Sequence, residues 1–344
     1  MKSWKDHLLK SGVPLEYEVA SAMSQAGMAV EADFPFMRRD IAGLKELSVD
    51  IAAQFYGPSE NDVGFELHTL VECKYRSPEK TLLLLEDPNE EFSPVTLGGT
   101  VASFDAFAPF HLPLNGFVAM EQELPYVYKG VEIFDGGAIE EEVRHGIQQL
   151  RFAAPALLRR MVDFDLYNGH LEERNGIFFT SILVTNAPLR LLNRSVNIQL
   201  VKSAAALDDI STPIDVAILY SDYGPDFEDH VRTIFRDDLD ERMARARVVK
   251  KELSSAGKKF GFYSDPEKFV SELSHAGRST CRHIGTQFFV ANLHAVPKLL
   301  ESIKTACLES YSARALLKRA RTVRKRSRRA TKILQSERCD LKLY

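Results

Sequence analysis

Apolar residues at Leu15, Val19, Ala22, Met23 and Ala26 recur every three or four positions, which predicts a helix buried along one face. Pro14 suits its first turn and Gly27 its end. On the helical wheel Glu16 falls at the edge of that face and Glu18 further round, so Glu16 is the acid better placed to point inward. Met28–Met37 then reads as a strand. Leu47–Phe55 alternates, with Val49, Ile51, Ala53 and Phe55 on one face and Asp50, Ala52 and Gln54 on the other. Beyond the turn cluster Gly57–Asp62, Leu67–Tyr75 sets Leu70, Glu72 and Lys74 on one face and Val71, Cys73 and Tyr75 on the opposite one. As hairpin partners, these strands bring Asp50 beside Glu72 if the register allows. The alternation defines the faces and leaves the register open.

Ser77–Gly137 is the least regular stretch, holding six of the 15 prolines and the acidic run Glu86–Glu91. It is too long for an ordinary loop and reads as an insertion with local structure of its own. Ile139, Val143, Ile147, Leu150, Ala154, Leu157 and Met161 predict an amphipathic helix that Pro155 should kink. Gly176–Asn186 reads as a buried strand. Helix, three strands, helix, strand is the order of a compact α/β core, complete by about Leu192. Two strand–helix units follow, Asp215–Tyr220 with Phe227–Phe235 and Gln287–Leu293 with Val296–Ala306, either extending the same sheet or forming a second lobe. The chain therefore divides into a core over 1–200 with its insertion at 77–137, an α/β extension over 201–306, and a tail over 307–344.

Composition changes this picture little. The 344 residues are 45% hydrophobic and 27% charged, an ordinary globular balance. The longest apolar runs fall far short of the ~20 residues a membrane helix needs. The amino terminus turns polar at once, so the expected location is cytoplasmic, with no membrane partner. The four cysteines stand alone, which indicates neither a zinc knuckle nor a disulfide framework, and Cys281 and His283 read as packing or surface residues.

Charge changes it more. The net charge of −4 hides a segment with ten basic and no acidic residues: Arg314, Lys318, Arg319, Arg321, Arg324, Lys325, Arg326, Arg328, Arg329 and Lys332. The remainder carries 34 basic against 48 acidic residues, a net of −14. Ala313, Leu316, Ala320, Val323, Ser327, Ala330 and Leu334 run through the segment at helical spacing, which predicts a helix with a narrow packing stripe and a phosphate-binding surface. A solvated tail, or an arm pairing with the acidic body of another subunit, is the alternative.

The candidate chemistry lies in the first two facing strands. Asp50 is followed 22 positions later by Glu72-Cys73-Lys74. Two carboxylates can hold a hard divalent cation, and the lysine beside them can serve an attacking water. A lone Glu-x-Lys is more often a solvated pair on an exposed strand face, and Val71 and Cys73 on the other face fit that reading too. Asp50 in a separate apolar strand and Glu16 on the preceding helix shift the weight, although an acid at a helix start also suits the helix dipole.

Glu16, Asp50, Glu72 and Lys74 resemble the active site of the PD-(D/E)xK nuclease superfamily, the restriction-endonuclease-like fold. The strand ending Leu183-Val184-Thr185-Asn186 is similar to the Mrr-type, type IV restriction-like branch. The resemblance covers about the first 200 residues. Val49 stands where the motif has proline. Gln148 and Gln149 lie on the helix where some branches carry a glutamine, but the wheel turns both away from the apolar face and neither is assigned a role.

The resemblance implies an α/β protein with an αβββαβ core and a mixed sheet, in which Asp50, Glu72, Lys74 and Glu16 are catalytic. It implies Mg²⁺, with Mn²⁺ able to substitute, held by Asp50, Glu72 and the backbone carbonyl of Cys73. DNA is the implied substrate and partner, a homo-oligomer the expected assembly, and prokaryotic defence against foreign DNA the expected setting. No Gly-x-x-x-x-Gly-Lys-Ser/Thr is present, so an ATP-driven or sensing step would come from a partner protein. A catalytically silent nucleic-acid-binding subunit is the alternative. Ile214–Ser221 followed by Asp226-Phe227-Glu228 also faintly resembles the opening of a TIR domain, a fold some of whose members cleave NAD.

Overall fold

The computed structural model describes residues 4–40, 43–57, 64–89, 93–104, 115–167, 176–255, 265–275 and 278–312. The chain opens with helices α1 (Trp4–Lys10) and α2 (Val13–Gln25), followed by strands β1 (Ala29–Asp40), β2 (Gly43–Tyr56) and β3 (Phe65–Lys74). Next come β4 (Thr81–Glu86), β5 (Val101–Phe104), α3 (Asn115–Gln122), β6 (Tyr126–Phe134) and β7 (Gly137–Ile139). The long helix α4 (Glu141–Tyr167) leads into β8 (Gly176–Thr185), β9 (Leu189–Leu192), α5 (Ile198–Ser203) and β10 (Ser211–Ile214). The chain continues through β11 (Val216–Tyr220), α6 (Pro225–Arg236), α7 (Leu239–Ser255), α8 (Pro266–Ser274), α9 (Arg278–Gly285) and β12 (Gln287–Asn292). A last helix, α10, occupies 296–312.

The protein is α/β, with one mixed sheet ordered β1-β2-β3-β8-β12-β11-β6-β4-β9-β10; β5 pairs with β8 and β7 with β6. The β1-β2-β3 meander is antiparallel, while β8 lies parallel to β3 from Phe65 opposite Gly176 to Lys74 opposite Thr185. A parallel neighbour requires a crossover, and α4 supplies it. β12 adds parallel to β8, and β11 antiparallel to β12. The later strand–helix units thus extend the sheet. The proline-rich segment 77–137 also joins it, through β4, β5 and β6, and Ile139 closes strand β7 instead of opening α4.

Two clusters of buried side chains fill the two sides of the sheet. One joins α4, α6, α7, α8 and α9 to the sheet, and the other joins α2, α3 and α10. α2 ends as its sequence requires: Gly27 takes φ 80, and Met28 N–H returns to Met23 O. α4 runs unbroken through Pro155, and all ten residues of β8 are buried. No helix among the described residues is long and apolar enough to cross a membrane.

One irregularity lies near the site. Leu47 and Val49 pack on the α4 side, whereas Ile51, Ala53 and Phe55 pack on the α2 side; on β1, Phe34 and Phe36 face α4 and Val30 faces α2. Both strands switch faces at one cross-strand position, that of Asp33 and Asp50, since Ala32 pairs with Ile51 and Phe34 with Val49. Asp33 has φ 53, a left-handed conformation that aspartate tolerates better than most residues and that rotates a strand about its axis. The expectation that Val49 shares a face with Ile51, Ala53 and Phe55 is therefore corrected.

Candidate active site

The ladder between β2 and β3 ends at Ile51 opposite Val71, so the next register position sets Asp50 against Glu72. There the strands part, and the Asp50 carboxylate turns into the gap, where its Oδ2 accepts the Cys73 N–H at 2.6 Å. A side chain replaces a ladder carbonyl, leaving no backbone donor orphaned where the sheet opens. The Cys73 thiol lies on the far, α2 side of the sheet, and burial pushes its pKa up.

Glu72 and Lys74 lie on the α4 side. Glu72 is 1% exposed and its Oε1 accepts from Lys74 Nζ at 2.6 Å. Its Oε2, also buried, makes no hydrogen bond of normal geometry, although the Asp50 N–H lies near enough to the carboxylate to oppose the effect of burial on its pKa. Burial first, and the Asp50 charge second, raise the Glu72 pKa to about 7. Asp50 is likewise raised by burial, against the pull of the Cys73 N–H and Lys74. Glu16 on α2 is half-buried, as the wheel expects, while Glu18 is exposed. Burial and the charges of Asp50 and Asp33 raise its pKa.

Two further residues join the group. Gln149 Oε1 accepts from Lys74 Nζ at 3.0 Å, and its Nε2 reaches Ser48 O at 3.4 Å. The wheel missed it because α4 is packed on more than one side: Arg151 to Pro155 are all buried, so the apolar stripe does not mark the only inward face. A usable signal was Gly146, one helical turn earlier on the same row. A Cβ there would stand 2.5 Å from Leu183 Cδ1, 3.2 Å from Lys74 Cε and 3.5 Å from Glu72 Cγ, so glycine lets α4 lie close over the site. Asp33 is the second addition, exposed and opposite Asp50.

The far end of β3 is fastened to β8. Thr185 Oγ1 donates to Lys74 O at 2.8 Å, and Asn186 exchanges hydrogen bonds with Arg76 N–H and C=O at 2.6 and 2.7 Å. The Arg76 side chain reaches Glu132 and Glu142 at 2.5 and 2.8 Å. Lys74 is thus held at both its backbone and its ammonium.

Asp50, Glu72, Lys74 and Glu16 are therefore neighbours, from β2, β3 and α2. The basic residues Arg314 to Lys332 lie outside the described residues. No group of three or more His, Cys, Asp or Glu side chains among the described residues is gathered closely enough to hold a metal ion. The donor set nonetheless fits Mg²⁺, which takes oxygen ligands and is commonly held by one or two carboxylates with waters completing its shell. The unpartnered Glu72 Oε2 beside Asp50 is the feature a cation would satisfy. Comparison of the chain with known protein families, curated proteins and solved structures found no match.

Proposed function

We propose that the protein is a Mg²⁺-dependent endonuclease that hydrolyses DNA phosphodiester bonds on a restriction-endonuclease-like αβββαβ core. The observation that carries this reading is the Glu72 carboxylate, buried between Asp50 and Lys74 with one oxygen unpartnered. A structural ion pair gains nothing from an orphaned buried oxygen, which costs about 1–3 kcal/mol. The strand order β1-β2-β3-β8, with α2 before it and α4 within it, supports the same reading.

Asp50 and Glu72 would hold the cation, which when bound offsets phosphate charge and makes a bound water more acidic. Lys74, steered by Gln149 and Glu72, presents an ammonium that can orient the attacking water or meet charge developing on phosphate oxygen. Glu16, on the opposite side of Asp50 from α4, is available to a metal-bound water. The cell setting in defence against foreign DNA rests on the family resemblance.

The test is cleavage of supercoiled plasmid, linear duplex and single-stranded DNA with Mg²⁺, Mn²⁺ or EDTA. Asp50→Ala, Glu72→Ala and Lys74→Ala should each cut activity about a hundredfold or more while the chain stays folded. Wild-type rates in all three variants would end the assignment at this site. DNA binding with no metal-dependent cleavage would give the silent-subunit reading instead.

A further inference from the structure

We propose that the outer half of the β1–β2 hairpin is an arm that enters the major groove of duplex DNA, meeting it with Arg39, Leu44 and Lys45. The inference rests on the nuclease reading and names its substrate as double-stranded.

β2 pairs with β3 only from Ile51 onward, whereas the β1–β2 ladder continues for seven rungs past the face change, from Phe34 opposite Val49 to Asp40 opposite Gly43. Those rungs make a two-stranded ribbon about 20 Å long that starts beside Asp50. One face anchors it. Phe34, Phe36, Leu47 and Val49 pack toward α4, and Ser48 O accepts from Gln149. Arg38 lies over the Phe152 ring at 3.7 Å and reaches Asp226 at 3.4 Å. The opposite face is bare: Pro35, Met37, Arg39, Leu44 and Glu46 are all exposed, Leu44 by 62%.

Charge, side-chain type and width all fit DNA. Arg39 and Lys45 make no hydrogen bond or ion pair among the described residues. Lys45 stands directly opposite Arg38, a like-charge rung that weakens a free ribbon and that a polyanion would offset. An edge that charge merely guards against strand pairing has no use for exposed Met37 and Leu44. Thymine methyl groups in a major groove meet such side chains, and cytosine offers Glu46 an amino donor. That groove, about 12 Å wide in B-form DNA, admits a two-stranded ribbon, whereas the narrow groove of an RNA duplex does not. Because β2 itself carries Asp50, a duplex held by the ribbon lies against the catalytic carboxylates. Two cations add little to total charge attraction; what the arm adds is preference for a duplex.

The experiment is fluorescence anisotropy of the full chain in EDTA, with a DNA duplex, its single strand and an RNA duplex of the same sequence. Wild type should bind the DNA duplex most tightly. Arg39→Ala combined with Lys45→Ala should weaken duplex DNA binding roughly tenfold, lower its salt slope by up to about 1.8, and leave single-strand binding within about twofold. Leu44→Ser should reduce the duplex preference at an unchanged salt slope. Lys202→Ala, which removes an exposed cation from α5 at the opposite edge of the sheet, should change neither. Lys45→Glu turns the like-charge rung into an opposite-charge one. It should melt slightly higher than wild type yet bind duplex DNA more weakly, whereas a merely structural ribbon would move melting alone. Wild-type duplex affinity in the double variant, or an equal loss on the single strand, would overturn the arm and leave the nuclease reading intact. An RNA duplex bound as tightly as DNA would overturn the groove assignment. Duplex binding that depends on Arg39 and Lys45, in a chain without metal-dependent cleavage, would keep the arm and end the nuclease reading.

Discussion

Glu72 is a carboxylate that folding has taken out of water and left half-paired. Its pKa is pushed from 4.5 to about 7, so between those values the folded chain keeps a proton that the unfolded chain releases. The stability it contributes is fully present below the ordinary carboxylate range, declines as pH rises, and is lost through about pH 7. The full effect is about 3 kcal/mol. Glu72→Gln stays neutral at every pH, so in EDTA its stability advantage over wild type should grow between pH 5 and 8 by about that amount. Adding Mg²⁺ at pH 8 should narrow the gap by stabilising only the wild type. Denaturant titrations check this, and a gap that does not move with pH would mean that Glu72 titrates as an exposed acid. Gln149 is a positioning residue acting through Lys74. Gln149→Ala should lower kcat roughly tenfold with little change in KM, because the ammonium loses one of its two acceptors while DNA contacts stay. A rise in KM at unchanged kcat would assign Gln149 to substrate binding.

At the scale of elements, α4 must lie close over the end of β3, and Gly146 is what permits it. Gly146→Ala places a methyl group against Leu183, itself buried, and against the Lys74 chain. Overpacking of this kind costs about 1–3 kcal/mol, of which the better helix propensity of alanine returns up to about 1. The variant should melt a few degrees lower and lose more cleavage than its melting point explains, since besides Leu183, which must move most, the Lys74 chain that carries the ammonium must also give by a few tenths of an ångström. Full activity in a folded Gly146→Ala chain would show that α4 does not set the lysine. The same close approach explains what could be read from sequence. Leu70, Glu72 and Lys74 alternate on a strand with one register-independent face, so their joint placement followed from period two alone. Gln149 did not follow, because a helix covered on several sides has no single apolar stripe to measure against. Nor did the face change at Asp33 and Asp50, which depends on one left-handed residue that hydrophobic alternation does not report. The strands of 77–137 were hidden for a different reason. β4 with β6 and β6 with β7 pair inside the segment, but what joins it to the main sheet is the pairing of β5 with β8, β6 with β11 and β4 with β9, partners that all come later in the chain.

At the scale of the whole molecule the proposed chemistry has an electrostatic difficulty. The site gathers Glu16, Asp33, Asp50 and Glu72 around one lysine, and the chain outside Arg314–Lys332 carries a net of −14. Such a body repels DNA, so affinity must come chiefly from bound cations or from the ten basic residues of that segment. The two sources can be separated by ending the chain after Ser312. That truncation keeps α10, with its buried Ile303, Ala306, Cys307 and Tyr311, and leaves every site residue in place. For every phosphate that the shortened chain no longer neutralises, the slope of log affinity against log salt should fall by about 0.9 on duplex DNA. Truncated protein should therefore bind DNA more weakly with a visibly shallower salt dependence. Cleavage should partly recover at low salt or high enzyme concentration, because the catalytic groups are untouched. Fluorescence anisotropy across a salt series measures the slope, and light scattering on the same samples measures the mass. Unchanged affinity with a fall in mass would make Arg314–Lys332 an arm that pairs with the acidic body of a second copy. The site would then have to draw its DNA affinity from the cations it holds.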